Sequence, residues 1–185
     1  MATKNSSLNS NKIHIPLTTQ LRVPPNHLDS EKAVLGSIML RPDALNEIMD
    51  FISGPSFYAE KHRKIFETMF ELHQKNNPID ILSVRARLEE KNMLESVGGA
   101  SYLAELVHIV PSSANIKHYA EIVQKKHLMR RLIEAGDYIS QIGFDEAGAL
   151  DELLDKAEKS VYEVTNFTTS QRFVEIREKL TEAWD

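Results

Sequence analysis

The chain has 185 residues, of which 42% are hydrophobic and 26% charged, and this size and composition predict a soluble globular protein with one sizeable domain plus appendages. The absence of cysteine excludes disulfides and thiolate zinc sites, and no run approaches the ~18 consecutive apolar residues of a membrane-spanning helix. The net charge of −5 argues against a nucleic-acid-binding surface over the whole chain, although a local basic patch is compatible with it.

Residues 1–24 are predicted to form a disordered, polar and basic tail. Lys4, Lys12 and Arg22 are the only residues with a full charge before Asp29, and Asn, Ser and Thr are abundant. The segment lacks the apolar core of a secretory signal peptide. The folded part is therefore expected to begin near residue 25.

Residues 25–110 predict a small all-helical bundle, because apolar residues recur at steps of three and four and hardly ever alternate. Helix breaks are expected at 53–55, at 76–78 and at Pro111, and Ser83 is the predicted cap of a short helix over 84–91. The predicted inward-facing residues of the other helices are, in chain order, Val34, Leu35, Ile38 and Met39; Leu45, Ile48, Met49 and Ile52; His62, Ile65, Phe66, Met69 and Phe70; and Tyr102, Leu103, Leu106 and Val107.

Residues 111–166 predict an antiparallel helical hairpin that protrudes from the bundle. A glycine-containing turn at 143–148 separates two apolar stripes, one formed by Leu128, Leu132, Ala135, Ile139 and Ile142 and the other by Leu150, Leu153, Leu154, Ala157, Val161 and Val164. A hairpin has few neighbours of its own. The candidates for contact with another protein are Ile133, Tyr138, Ile139, Leu153 and Leu154, with the alternative that they only widen the contact between the two arms.

Residues 167–185 are predicted to comprise a linker and a short terminal helix. The polar run 165–171 has little reason to fold, and the helix after it is near the ~12–15-residue limit below which an isolated helix is marginal in water. This helix therefore needs a partner surface, and its docking residues are expected to be Phe173, Ile176, Leu180 and Trp184.

No catalytic, cofactor-binding or metal-binding residue is predicted. The pair Gly98-Gly99 precedes a helix but lacks the lysine of a phosphate-binding GxxxxGK[ST] loop, and it is interpreted as a tight joint. Gly143 and Gly148 have the right spacing, but acidic residues lie between them and no lysine follows. The histidines show no metal-ligand spacing, and His62 is expected to be a hydrogen-bonded, partly buried side chain.

Two basic clusters, at 61–64 and 125–131, could contact a phosphate backbone. Acidic residues lie four positions from several of these cations, which predicts the ion pairs Glu60–Lys64, Glu121–Lys125 and Arg130–Glu134. Self-paired helix faces are the favoured interpretation, and DNA contact by this chain is expected to be weak or absent.

The order of several fragments resembles the N-terminal domain of bacterial replicative DNA helicases of the DnaB family. The resemblance covers 23–164 and continues weakly through the terminal helix, which resembles that family's linker helix. The fragments that carry it are VPPNHLDSEKAVLGSIML (23–40), PSFYAEKHRKIFETMFEL (55–72), NPID (77–80), LEEKNMLESVGGASYLAEL (88–106), PSSANIKHYAEIVQKKHLMRRLIEAG (111–136) and LLDKAEKSVYEV (153–164).

This resemblance implies a non-catalytic collar that dimerises through its hairpins and assembles as a trimer of dimers, a hexamer, in the bacterial cytoplasm. It also implies docking of primase, contact with a helicase loader, and packing of the linker helix on a neighbouring motor domain. The family's RecA-like motor would follow Asp185, so ATP and Mg²⁺ are expected only there. The alternatives are the helicase-binding domain of primase and a stand-alone helical DNA-binding protein.

Overall fold

The computed structural model describes residues 23–110 and 112–182, and from residue 167 onward only the backbone. All regular structure in these ranges is helical, which confirms the predicted all-α class. No helix in these ranges is long and apolar enough to cross a membrane. The α-helices are α1 (Leu28–Leu40), α2 (Glu60–Gln74), α3 (Ile81–Glu90), α4 (Gly99–Ile109), α5 (Ile116–Ile142) and α6 (Leu150–Glu182), and short 3₁₀ helices span Pro42–Glu47, Gly54–Ser56, Glu95–Val97 and Ser113–Asn115.

Helix α1 lies at the centre of the bundle, packed against α4 and α5. Its predicted inward residues are all buried, and the burial extends to Ser30, Glu31 and Ser37 on other sides of the helix. Gly36 permits the close approach of α4, since a Cβ built there would lie 2.0 Å from the backbone oxygen of Leu106. A central helix of this kind is covered on most of its circumference.

The segment after Pro42 differs from the predicted second helix. It is a six-residue 3₁₀ helix followed by turns, and it buries Leu45, Ile48 and Ile52 while Met49 is exposed. The predicted inward position of Met49 is therefore wrong. The reason is geometric, because only a continuous α-helix keeps residues three and four apart on one face.

Helix α3 begins earlier than predicted and has a different cap. The Asp80 side chain accepts a hydrogen bond from the backbone N of Ser83 at 2.8 Å, which makes Asp80 the N-cap and places Ser83 inside the helix. An Asp carboxylate is a strong acceptor for the free N–H groups of a helix start. The assignment of Ser83 as the cap is therefore wrong.

Helices α5 and α6 form the predicted hairpin. The start of α5 belongs to the bundle, where Ile116, Ala120 and Val123 join the hydrophobic core. Further along, the buried residues Ala135 and Val164 lie between the two arms. The bundle therefore holds the base of the hairpin and leaves its outer part without other packing partners among the described residues.

Helix α6 continues without a break through residues 165–171, where the polar composition predicts a linker. The prediction of a non-helical segment there is wrong. The Thr165 hydroxyl bonds to the backbone oxygens of Val161 and Tyr162, at 3.3 and 3.1 Å, so this polar side chain is satisfied within the helix. Phe173, Ile176 and Leu180 lie on the continuation of α6, and Trp184 and the predicted tail up to residue 22 lie outside the described residues.

Candidate functional site

The hairpin carries a group of exposed apolar side chains on one side. We call this group the hairpin face; its members are 39–70% exposed and are Met129 and Leu132 of α5 and Leu150, Leu154 and Val161 of α6. Met129 and Leu132 line a groove of about 420 Å³ together with Val164 and Thr165. Val161, Leu154 and Leu150 precede Thr165 at steps of four, seven and four, so they lie on the same side of α6.

The opposite side of the hairpin is polar. A second groove, of about 450 Å³, is lined there by Arg131, Glu134 and Tyr138 of α5 and by Lys156, Lys159 and Glu163 of α6. Charged side chains on this side can remain hydrated, whereas the hairpin face exposes apolar surface to water. The two sides therefore differ in the kind of partner that they favour.

The predicted contact residues do not form one surface. Leu154 lies on the hairpin face, Tyr138 lines the polar groove, and Ile133 lies two positions from the buried Ala135 and so points away from α6. Ile139 and Leu153 are partly buried. Of the predicted contact residues, only Leu154 falls among the exposed apolar residues that share a side.

Most of the hairpin face comes from residues that the sequence pattern assigned to the contact between the arms. Leu132, Leu150 and Val161 belong to the predicted stripes, yet all of them are exposed, and Met129 lies outside both stripes. Two helices bury only a narrow strip of each other, because each touches a single neighbour. The sequence signal for an additional contact surface is therefore an apolar stripe that is wider than the part of each helix that the other helix buries.

A buried network of Glu31, His62 and Tyr102 links α1, α2 and α4. His62 Nδ1 lies 2.6 Å from Glu31 Oε2, and His62 Nε2 lies 2.6 Å from the Tyr102 hydroxyl. Glu31 also accepts from the backbone N of Tyr58 at 2.7 Å and of Ala59 at 3.2 Å. Glu31 and His62 are each 1% exposed, so His62 is hydrogen-bonded as predicted and is buried more completely than the predicted partial burial.

The network resembles a proton relay in its connectivity but lacks access for a substrate. Burial raises the pKa of Tyr102 to about 12, so its hydroxyl remains protonated at neutral pH and can donate to His62 Nε2. His62 Nδ1–H then donates to Glu31, whose carboxylate also accepts from the backbone N–H groups of Tyr58 and Ala59. The chain of donors is complete, and its role is to hold the three helices together.

Replacing Tyr102 by phenylalanine should destabilise the protein by about 1–2 kcal/mol, because the buried His62 Nε2 loses its partner while the ring is kept. Urea unfolding followed by circular dichroism measures this change. Tyr162→Phe is the matched control, since Tyr162 is exposed and its replacement should have little effect. Equal stabilities of the two variants would contradict the role of the Tyr102 hydroxyl.

The glycine pair has the backbone geometry of a joint. Gly98 and Gly99 have φ values of +105° and +71°, and their amides donate to the backbone oxygens of Glu95 and Leu94 at 3.1 and 2.9 Å. A phosphate loop needs amides that are free to bind the anion. Across residues 23–110 and 112–166, whose side chains the structure describes, no group of His, Asp or Glu is placed to hold a metal ion.

The predicted ion pairs of the basic clusters form only in part. Glu60–Lys64 is present at 2.8 Å, which confirms that pairing. Arg130 donates to backbone oxygens instead of to Glu134, which pairs with Arg131 at 3.3 Å. Glu121 and Lys125 form no salt bridge within the part of the chain that the structure describes, so the predicted pairings of Lys125 and Arg130 are wrong.

Comparison with known proteins places these features in one family. Residues 23–125 match the model of the DnaB-like helicase N-terminal domain. The replicative DNA helicase DnaC of Bacillus subtilis and the replicative DNA helicase DnaB of Geobacillus stearothermophilus are each 37% identical over 164 residues. The match spans 89% of this chain and 36% of the length of each relative.

Solved structures show the same fold. The N-terminal domain of DnaB helicase from Mycobacterium tuberculosis superposes with a TM-score of 0.73 at 35% identity, over 76% of this chain and 99% of that one. A DnaB-like replicative helicase, described together with its interactions with primase, superposes with a TM-score of 0.67 at 26% identity, over 86% of this chain and 37% of that one.

Proposed function

The chain belongs to the DnaB-like helicase N-terminal domain family, and on that premise we propose that it is the non-catalytic collar of a replicative DNA helicase. In this proposal, copies of the chain associate through their hairpins, dimers assemble into a trimer of dimers, and the collar recruits primase. ATP hydrolysis and strand separation, with ATP and Mg²⁺, belong to a motor domain of the full-length protein in the bacterial cytoplasm.

The observation that supports self-association is the hairpin face. Its five apolar side chains lie on the two helices of the hairpin, and burying them on a second copy removes this surface from water. The polar groove on the other side gives no comparable gain. We therefore propose that the contact between copies lies on the side of Leu132 and Leu154. Of the other predicted contact residues, Ile139 and Leu153 would lie within each hairpin, and Ile133 and Tyr138 would lie outside this contact.

Recruitment of primase is supported by the DnaB-like helicase whose structure was described with its interactions with primase. If primase binds one arrangement of the collar more tightly than another, its binding shifts the population toward that arrangement. A helicase loader would act on the same equilibrium. Measuring the affinity of primase for the associated and dissociated forms of the chain tests this coupling, and equal affinities would contradict it.

The last part of α6 is proposed to pack on a neighbouring subunit's motor domain. Phe173, Ile176, Leu180 and Trp184 recur at steps of three and four and would present one apolar side there. In the full-length hexamer, replacing Leu180 by aspartate should weaken subunit association, while the isolated chain should be unaffected.

The double variant Leu132→Asp/Leu154→Asp should self-associate roughly 100-fold more weakly than the unmodified chain, because two charges would have to be desolvated at the contact. Light scattering over a concentration series gives the mass. Tyr138→Asp is the matched control, since it places the same charge on the polar side of the hairpin. If Tyr138→Asp dissociates the protein and the double variant does not, the contact lies on the other side.

A further inference from the structure

One arginine from each basic cluster, Arg63 of α2 and Arg130 of α5, reaches the same corner of the bundle, beside the 3₁₀ helix Gly54–Ser56. Arg130 Nη1 and Nη2 donate to the backbone oxygens of Pro25 at 2.8 Å and Ser56 at 2.7 Å. Arg63 Nη2 donates to the oxygen of the next residue, Phe57, at 3.5 Å. Guanidinium groups separated by 67 positions in the sequence thus contact adjacent carbonyl groups. We call Tyr58, Arg63, His127, Arg130 and Arg131 the basic corner.

The positive charge of this corner is only partly neutralised within the chain. Within residues 23–110 and 112–166, neither Arg63 nor Arg130 makes a salt bridge, although Glu67 lies one turn after Arg63 on α2 and the charges of Glu31 and Glu134 act on Arg130. Three of the acidic groups nearby have other partners. Glu60 pairs with Lys64, Glu134 pairs with Arg131, and the buried Glu31 accepts from His62. A group of like charges that is incompletely neutralised attracts an anion.

His127 lies in the electrostatic environment set by the arginines of the basic corner. Burial lowers its pKa, and the charges of Arg130, Arg131 and Arg63 lower it further. His127 is therefore neutral at pH 7 and adds no charge of its own. An anion bound at the corner would oppose the three arginines and raise the pKa of His127, which gives a readout that is independent of affinity.

Two further features favour a nucleic acid as the anion. The exposed ring of Tyr58 lies at the corner, with the Arg130 guanidinium carbon 5.7 Å from its centroid, and an exposed aromatic ring can stack on a base. Residues 1–22 lead directly into the segment that Arg130 holds, and their charged residues, Lys4, Lys12 and Arg22, are all basic. Basic terminal arms commonly bind phosphate backbones.

We propose that the basic corner binds the phosphate backbone of single-stranded DNA, with a neighbouring base stacked on Tyr58. This site is distinct from the hairpin face and does not depend on how copies of the chain assemble. It revises the expectation, drawn from helix-face spacing, that this chain contacts DNA weakly or not at all. The arginines supply salt-dependent affinity without a preference for sequence.

The test is fluorescence anisotropy of a labelled oligothymidylate titrated with the full 185-residue chain at several salt concentrations. Arg63→Glu should weaken binding roughly tenfold or more at low salt, and Arg63→Gln should lower the slope of log affinity against log salt by about one. Arg85→Glu is the control for Arg63→Glu, since it changes the net charge equally at an exposed position on α3. Equal losses from the two substitutions, or binding without salt dependence, would overturn the proposal.

Further measurements separate DNA from an acidic peptide and from a change in assembly. Tyr58→Leu should weaken oligothymidylate binding roughly five- to tenfold, through lost stacking. A labelled oligoglutamate that binds as tightly as the oligothymidylate would overturn the assignment to DNA.

In nuclear magnetic resonance titrations, the pKa of His127 should rise when the oligothymidylate is added, and an unchanged value would contradict binding at this corner. Light scattering should give the same mass for Arg63→Glu and the unmodified chain.

Discussion

Replacing Glu31 by alanine should destabilise the protein by about 3–5 kcal/mol, which is a large part of the stability of a domain this size. The substitution removes the acceptor of three donors at once, namely the backbone N–H groups of Tyr58 and Ala59 and the His62 Nδ1–H. All of these contacts lie at a carboxylate that is 1% exposed, so water cannot easily replace it. The loss is therefore that of several unsatisfied buried groups.

The matched control is Glu105→Ala on α4. Glu105 is exposed and pairs with Lys32 at 3.1 Å, so its replacement should change stability by less than about 1 kcal/mol. Urea unfolding at fixed protein concentration compares the variants, because self-association would otherwise shift the midpoints. If Glu31→Ala were as stable as Glu105→Ala, the network would not be what joins α1 to α2.

Replacing Gly36 by alanine should destabilise the bundle by about 1–3 kcal/mol, although alanine is the better helix former. A Cβ at this position would lie 2.0 Å from the Leu106 backbone oxygen and 2.4 Å from Val110 Cγ2. The first of these atoms belongs to the backbone of α4 and cannot rotate away. Helices α1 and α4 must then move apart, and the core between them loses contacts.

Gly136→Ala makes the same chemical change as Gly36→Ala but should affect stability in the opposite direction. Gly136 lies within α5, and apart from the adjacent backbone of that helix a Cβ there would meet no atom of the described residues within 4 Å. The substitution should stabilise the protein by about 0.5–1 kcal/mol through lower backbone entropy in the unfolded state. Thermal and urea unfolding of Gly36→Ala and Gly136→Ala measures both changes in stability. A Gly136→Ala variant that is less stable than the unmodified chain, at an unchanged mass, would contradict the expected stabilisation.

The periodicity of apolar residues alone determined the helical class, the hairpin and most of the core. Such periodicity is a local property, because residues three and four apart share a helix face whatever the rest of the chain does. The same reasoning failed where local geometry changed, as at Met49, and where a polar segment remained helical, as at 165–171. Family membership was also recognisable, since it rests on the order of fragments along the chain.

Only the tertiary structure decided which distant residues meet. Glu31, His62 and Tyr102 come from three helices, and their network depends on the packing of α1, α2 and α4. The basic corner needs the approach of Arg63 to Arg130, and the apolar side of the hairpin depends on how much of each stripe the two arms bury. Distances between side chains far apart in sequence are set by helix packing, which the spacing of residues along one helix does not encode.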